Sequence, residues 1–207
     1  IQPFEQANSL NEQGHYKEAL AIYDQVLTQN HYNPHLLAAM GTIYARDQET
    51  IGMAITMLHL AIDKMPKKDK VPQEYYANLA LAYRQSGQHD KSIEYLERAL
   101  KIEKTAGTLT NYGNAFIEAG NPQKAIECLS EAVTMDPSID LTHYNLGLAL
   151  LETGQWDRAW DEYEYGFGCK LRIDRGALIG KPQWDGTHGK TVAIYGEQGL
   201  GDEIMFA

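Results

Sequence analysis

The sequence predicts an all-α solenoid of about five helix–turn–helix units, and three rows of small residues predict it. The first row, Ala7, Gly41, Ala80, Gly113 and Gly147, advances in steps of 34, 39, 33 and 34 residues. The second, Ala19, Ala54, Ser92, Ala125 and Ala159, advances in steps of 35, 38, 33 and 34. A third row lies seven residues further along: Val26, Ala61, Ala99, Ala132 and Gly166. Three registers that keep one period of about 34 residues mark a stacked repeat of helix pairs.

The elements follow in order from the chemistry of close packing. Two antiparallel helices approach to roughly 8–10 Å, and small residues at the crossing permit it. Large neighbours fill the rest: Tyr44, Tyr83, Phe116 and Leu150 on first helices, and Tyr23, Leu58, Leu96, Leu129 and Tyr163 on second helices. Gly14, Gly87, Gly120 and Gly154 fall between the helices of a pair, where a left-handed cap suits glycine. Pro66 and Pro137 stop second helices, and Pro122 opens one, where its missing N–H does no harm. First helices are expected near 4–13, 34–46, 73–86, 106–119 and 140–153. Second helices are expected near 16–29, 51–64, 89–102, 122–135 and 156–167. The units therefore run near 1–33, 34–72, 73–105, 106–139 and 140–167. The one long step has a local cause, an extra residue near Asp47–Thr50 and a longer, lysine-rich connection over Pro66–Pro72. One unit cannot bury its own apolar face, so the five share a continuous core.

Composition narrows the function. Hydrophobic residues make up 43% of the chain and charged residues 22%, an ordinary globular balance. No apolar run reaches the roughly 20 residues of a membrane span, and no signal segment opens the chain. The chain begins at Ile1, as a fragment or trimmed chain would. A formal net charge of −10 argues against nucleic acid, whose phosphates call for a basic footprint, and favours basic or neutral partners. Cys128 and Cys169 have no metal-ligand or disulfide spacing, which fits a reducing cytoplasm. His31 and His35 stand four apart, but Pro34 between them implies a helix start, so the spacing is not helical and no metal site is expected. Tyr75, Tyr76, Tyr163 and Tyr165 are expected to pack between repeats rather than to form a ligand box. No cofactor is expected.

The repeat pattern stops near Gly166. Residues 168–190 are expected to form a linker or cap, and 191–207 a short α/β fragment. Thr191–Tyr195 is β-branched and apolar, as in a buried strand, and Gly196–Asp202 is a glycine-rich turn of the kind that can offer N–H groups to a phosphate, with Gly199 and Gly201 as its candidates. The dinucleotide fingerprint is incomplete, because Ile204 occupies the third glycine position. A lone strand exposes unpaired backbone groups. The tail is therefore expected to be held in one of two ways. One is pairing with a second copy as a homodimer. The other is packing of Leu178, Ile179, Trp184, Val192 and Ile194 beside Trp156 and Trp160 as a cap.

The 34-residue period and its small-residue rows resemble the tetratricopeptide-repeat (TPR) family over residues 1–167. That resemblance implies a right-handed superhelix with a concave groove lined mainly by first helices. It implies a scaffold that binds a protein or peptide. Asn78, Asn111 and Asn145 share one register, two residues before the small first-helix residue, while Glu5 and Ala39 replace them in the first two units. In O-GlcNAc transferase the equivalent asparagines hold peptide backbone, and an amide suits that task because it both donates and accepts. The alternative role is packing between neighbouring repeats. The same register places Arg46, Arg84, Asn114 and Tyr144 on the groove, together with His35, Thr42, Glu74, Glu118 and Glu152.

The run Pro182-x-Trp184-Asp185-Gly186, followed by a strand and Glu197–Phe206, resembles the junction to a heptosyltransferase-like domain in bacterial TPR proteins. That resemblance implies a parent glycosyltransferase, with Asp202 as its candidate base and these repeats as its acceptor-recognition region. It leaves this fragment without a catalytic site. A frame that continues past Ala207 into alternating strands and helices would distinguish this alternative from a plain scaffold.

Overall fold

The computed structural model describes residues 3–29, 33–67 and 71–171. Among them are ten α-helices and no strand. In order these are α1 (Pro3–Glu12), α2 (Tyr16–Gln29), α3 (Pro34–Tyr44), α4 (Ile51–Lys64) and α5 (Gln73–Gln85). They continue as α6 (His89–Ile102), α7 (Ala106–Glu118), α8 (Pro122–Met135), α9 (Asp140–Glu152) and α10 (Trp156–Tyr163). The odd-numbered helices are the first helices of the expected pairs and the even-numbered ones the second. The last second helix is shorter than expected: it ends at Tyr163, and Glu164–Gly166 tighten into a 3-10 turn.

Each pair crosses where the small-residue rows place it. Ala7, Ala19, Ala54, Ala80, Ser92, Ala125 and Ala159 are fully buried at these crossings. Tyr23, Leu58, Leu96 and Leu129, also buried, fill the space beside them. Gly147 is the tightest crossing: a Cβ there would lie 2.6 Å from the backbone N and 2.9 Å from the Cα of Tyr163. At Gly113 the obstacle is instead the Leu129 side chain, with its Cγ at 2.5 Å.

The turns obey their glycines. Gly14, Gly87, Gly120 and Gly154 adopt φ of 82°, 75°, 71° and 73°, the left-handed region open to residues without a Cβ. Behind each, the next N–H reaches back to close the helix end, as from Gln88 N–H to Tyr83 C=O at 2.9 Å and Asn121 N–H to Phe116 C=O at 2.8 Å. The second pair has no such glycine. Its turn is a 3-10 helix, Gln48–Thr50, capped by the Asp47 carboxylate, which accepts from the Glu49 N–H at 3.0 Å. Helix starts are capped likewise: Asn33 accepts from the N–H of His35 at 3.0 Å, and Asn121 from that of Lys124 at 3.3 Å.

Between pairs, each second helix packs against the first helix of the next pair, which makes the core continuous. Successive first helices also meet, α1 with α3, α5 with α7 and α7 with α9, while no two successive second helices pack to a comparable extent. The first helices therefore line the inner side of the stack. Only α3 and α5 stand further apart. The chain between them carries the long step: the 3-10 turn and the connection Met65–Pro72, whose Val71 is buried in the core of these two pairs.

Candidate functional site

The inner face is tied together by polar side chains that bridge one first helix to the next. Between α3 and α5, the Tyr75 hydroxyl and Nδ1 of His35 are 2.6 Å apart. Burial, and then the charge of Glu74, push the Tyr75 phenol up to about 12, so it keeps its proton, and it donates to the imidazole in the tautomer whose Nδ1 is bare. Between α5 and α7, the Gln73 amide donates to the Thr108 hydroxyl, and Arg84 binds Glu118 at 2.8 Å. Between α7 and α9, the hydroxyls of Thr110 and Thr142 are 2.7 Å apart. Thr110 already donates to the Ala106 carbonyl at 2.9 Å, which leaves Thr142 as the donor in that pair.

The wider spacing of α3 and α5 opens a hollow of about 420 Å3 on this face, reaching across to α1. Phe4, Ala38 and Ala39 give it an apolar floor, and Thr42, Glu74 and Asn78 give it polar edges. His35 and Tyr75 form its bridge. Asn8, also at its edge, accepts from the Tyr23 hydroxyl at 2.6 Å.

The expected groove residues divide into two groups. Asn78 and Asn111 are half-buried, and Asn78 lines the hollow. Asn114 is half-buried with its carbonyl oxygen shielded and without a hydrogen-bond partner among the described residues. Asn145 is buried, and its NH2 group likewise has no partner among them. Thr42 and Asn78 share the hollow, and Asn114 and Asn145 occupy the same two registers two units later. Arg46 is exposed, with its guanidinium 4.4 Å above the ring of Tyr16, so it sits at the edge of the face. Arg84 is committed to Glu118, a carboxylate that His89 also approaches at 3.4 Å.

Tyr144 departs from expectation. It is buried and stacked on Tyr163 at 5.2 Å, because the tight crossing at Gly147 brings α10 over it, so it belongs to packing rather than to an open groove. Tyr75 and Tyr76 pack as expected, the latter stacked on Tyr95. Tyr165 stacks on His143 with centroids 3.9 Å apart. Sequence reasoning missed two features. One is the hollow itself, signalled by the 39-residue step, with Phe4 and Asn8 among its lining residues. The other is His143, buried between Glu162 at 2.5 Å and the Pro137 carbonyl at 3.1 Å.

Among the described residues no cluster of His, Cys, Asp or Glu could hold a metal ion, and no helix is long and apolar enough to cross a membrane. Both cysteines are free, and burial with the nearby Glu127 and Glu131 pushes the Cys128 thiol up to about 11. His31, the strand Thr191–Tyr195, Gly199, Gly201, Asp202 and the cap residues Leu178, Ile179, Trp184, Val192 and Ile194 lie outside the described residues. The C-terminal α/β fragment and a dimer through its strand therefore lie there too.

Comparison with known proteins agrees with this architecture. Residues 74–138 match a family model described as tetratricopeptide repeat, and residues 113–164 match a second, TPR repeat. Small glutamine-rich tetratricopeptide repeat-containing protein 2 of Mycosarcoma maydis is 33% identical over 95 residues, 45% of this chain and 26% of that one. Tetratricopeptide repeat protein 6 of Homo sapiens is 27% identical, with 75% of this chain and 30% of that one covered. The chain thus spans less than a third of the length of these curated relatives. Among solved structures, MamA superposes with a TM-score of 0.66 at 22% identity, covering 80% of this chain and 94% of its own. YrrB, a TPR protein with an unusual peptide-binding site, superposes at 0.64 and 19% identity, covering 87% of this chain and 90% of its own. Residues 74–164 thus match tetratricopeptide-repeat models, and the described helix pairs share the stacked fold of MamA and YrrB.

Proposed function

We propose that the chain is a binding scaffold that captures an extended protein or peptide segment on the inner face of its first helices. One observation supports this reading: Asn78 and Asn111, at one register of α5 and α7, are both half-buried, and Asn78 lines the hollow. An amide at a constant register can donate to a ligand carbonyl and accept from a ligand N–H whatever the side chains are. A peptide-binding site in a neighbour of the same fold, YrrB, supports the reading. Asn145 extends the row, its NH2 group shielded and without a partner among the described residues, and Asn114, three residues after Asn111, has a carbonyl oxygen in the same state.

Selection of phage-displayed random peptides tests this. Peptides that bind the native chain should bind the triple variant Asn78→Ala, Asn111→Ala, Asn145→Ala at least about fivefold more weakly, since each lost hydrogen bond contributes about 0.5–1.5 kcal/mol. Unchanged affinity, with an unchanged circular dichroism spectrum, would leave these asparagines a packing role only. The acceptor-recognition reading rests on Pro182–Phe206 alone. Sequencing the frame downstream of residue 207 tests it.

A further inference from the structure

The hollow between α1, α3 and α5 deserves a specific occupant, because nothing in the regularity of the repeat requires it. It exists where the long second unit holds α5 away from α3, and a single hydrogen bond, Tyr75 to His35, spans the gap. Its floor is apolar and its only formal charge is the carboxylate of Glu74, which is exposed and in no ion pair among the described residues. Among the described residues no lysine or arginine lines it. The cations elsewhere on the face are spoken for, Arg84 by Glu118 and Arg46 by the Tyr16 ring. A carboxylate-bearing ligand would therefore meet the repulsion of Glu74 here and no counter-ion among the described residues. The carboxylate of Glu74 is also felt by its neighbour, since its charge adds to burial in holding the Tyr75 hydroxyl protonated.

Resting on the peptide-binding reading above, we propose that this hollow seats a lysine or arginine side chain of the bound segment. The aliphatic stem lies against Phe4, Ala38 and Ala39, and the cationic head meets Glu74. The two halves of the pocket match the two halves of such a side chain, which buries its methylenes and keeps its charge at a wet edge. The ring of Phe4 gives a guanidinium or ammonium group a second favourable surface. The chain's net charge of −10 draws basic segments toward it.

The test uses three fluorescein-labelled 12-residue peptides of glycine and serine that carry, at every third position, arginine, glutamine or glutamate. Fluorescence anisotropy is read at low and at physiological ionic strength. The arginine peptide should bind the native chain, the glutamine peptide more weakly and the glutamate peptide least. Glu74→Gln should weaken the arginine peptide about two- to fivefold at low salt, as expected of a partly exposed ion pair, and leave the glutamine peptide unchanged. Glu127→Gln, exposed on the second helix α8 and outside the groove register, should change neither. Equal binding of the arginine and glutamate peptides, no effect of Glu74→Gln, or no binding of the arginine peptide to the native chain would each overturn the proposal. The triple asparagine variant separates the two claims. If it weakens the arginine and glutamine peptides alike while Glu74→Gln affects neither, the groove stands and the basic side chain falls. If neither variant changes binding of the arginine peptide, both fall.

Discussion

Helices α5 and α9 occupy the same place in the third and fifth units and carry the same asparagine, yet one opens the inner face and the other closes it. Around Asn78, residues 76–78 are half-buried beside a hollow; on α9 the six residues from Thr142 to Gly147 are buried without a break. The difference lies in the neighbours. α5 meets α3 less extensively than α9 meets α7, and α9 is packed also by α8, α10 and the 3-10 turn that follows α10. Glycine at position 147 lets the α10 backbone come to contact, and Tyr165 then folds back onto His143. Register alone therefore assigns a residue to a face; whether that face is available depends on how far apart the adjoining helices stand.

The largest effect should come from forcing the closed end apart. Gly147→Ala puts a methyl group against the Tyr163 backbone, which cannot rotate away, and should lower stability by about 1–3 kcal/mol in urea melts. Gly113→Ala meets only Leu129, a side chain that can change rotamer. Relief of the helical glycine, about 0.5–1 kcal/mol, offsets part of that strain. Equal losses for the two would show that backbone contact is not what shuts the α9 end.

His143→Ala should follow at about 1–3 kcal/mol, because it leaves the half-buried Glu162 without its partner and removes the ring under Tyr165. Hydrogen exchange should then accelerate over residues 164–171 while α5 stays protected. Acceleration in α5 as well would mean that the two ends are coupled.

A smaller change is expected at the open end. Tyr75→Phe removes the one hydrogen bond across the hollow and should lower stability by about 0.5–1.5 kcal/mol. Its pH dependence has a definite sign. The folded phenol sits at about 12, above its ordinary 10, so its contribution is complete below pH 10 and fades as pH rises through 12. The gap between native and Tyr75→Phe melts should narrow over that window; a gap that widens would contradict the donor role. The smallest effect is on binding. Asn78→Ala should weaken a selected peptide by a few-fold, about 1 kcal/mol, and more than Asn145→Ala, whose amide is shielded. The reverse order would mean that α9 opens when ligand binds.

The helix pairs were legible because their causes are local or periodic. Small residues mark crossings, glycines with positive φ mark turns, and prolines and asparagines mark starts; nine of the ten helices end within two residues of expectation. The tenth stopped early at Tyr163, where no proline or glycine signals it, because the turn after it is shaped by packing on α9. The groove was legible as a list and not as a shape. Asn78 and Tyr144 read alike as inner-face residues, and only the approach of α10 removes Tyr144 from that face.

What the amino-acid order determined by itself is the repeat: five helix pairs, their crossings, their turns and the row of asparagines, since each depends on residues within one unit or one period. What tertiary structure alone decided is which part of the inner face is open. The 39-residue step announced an irregularity, but the hollow, its Tyr75–His35 bridge and the uncompensated Glu74 arise from the distance between α3 and α5. That distance is set by how the long connection packs, through Val71, into the core of two neighbouring pairs. Packing between units sums contacts from residues far apart in sequence, and no single stretch of the chain contains that sum.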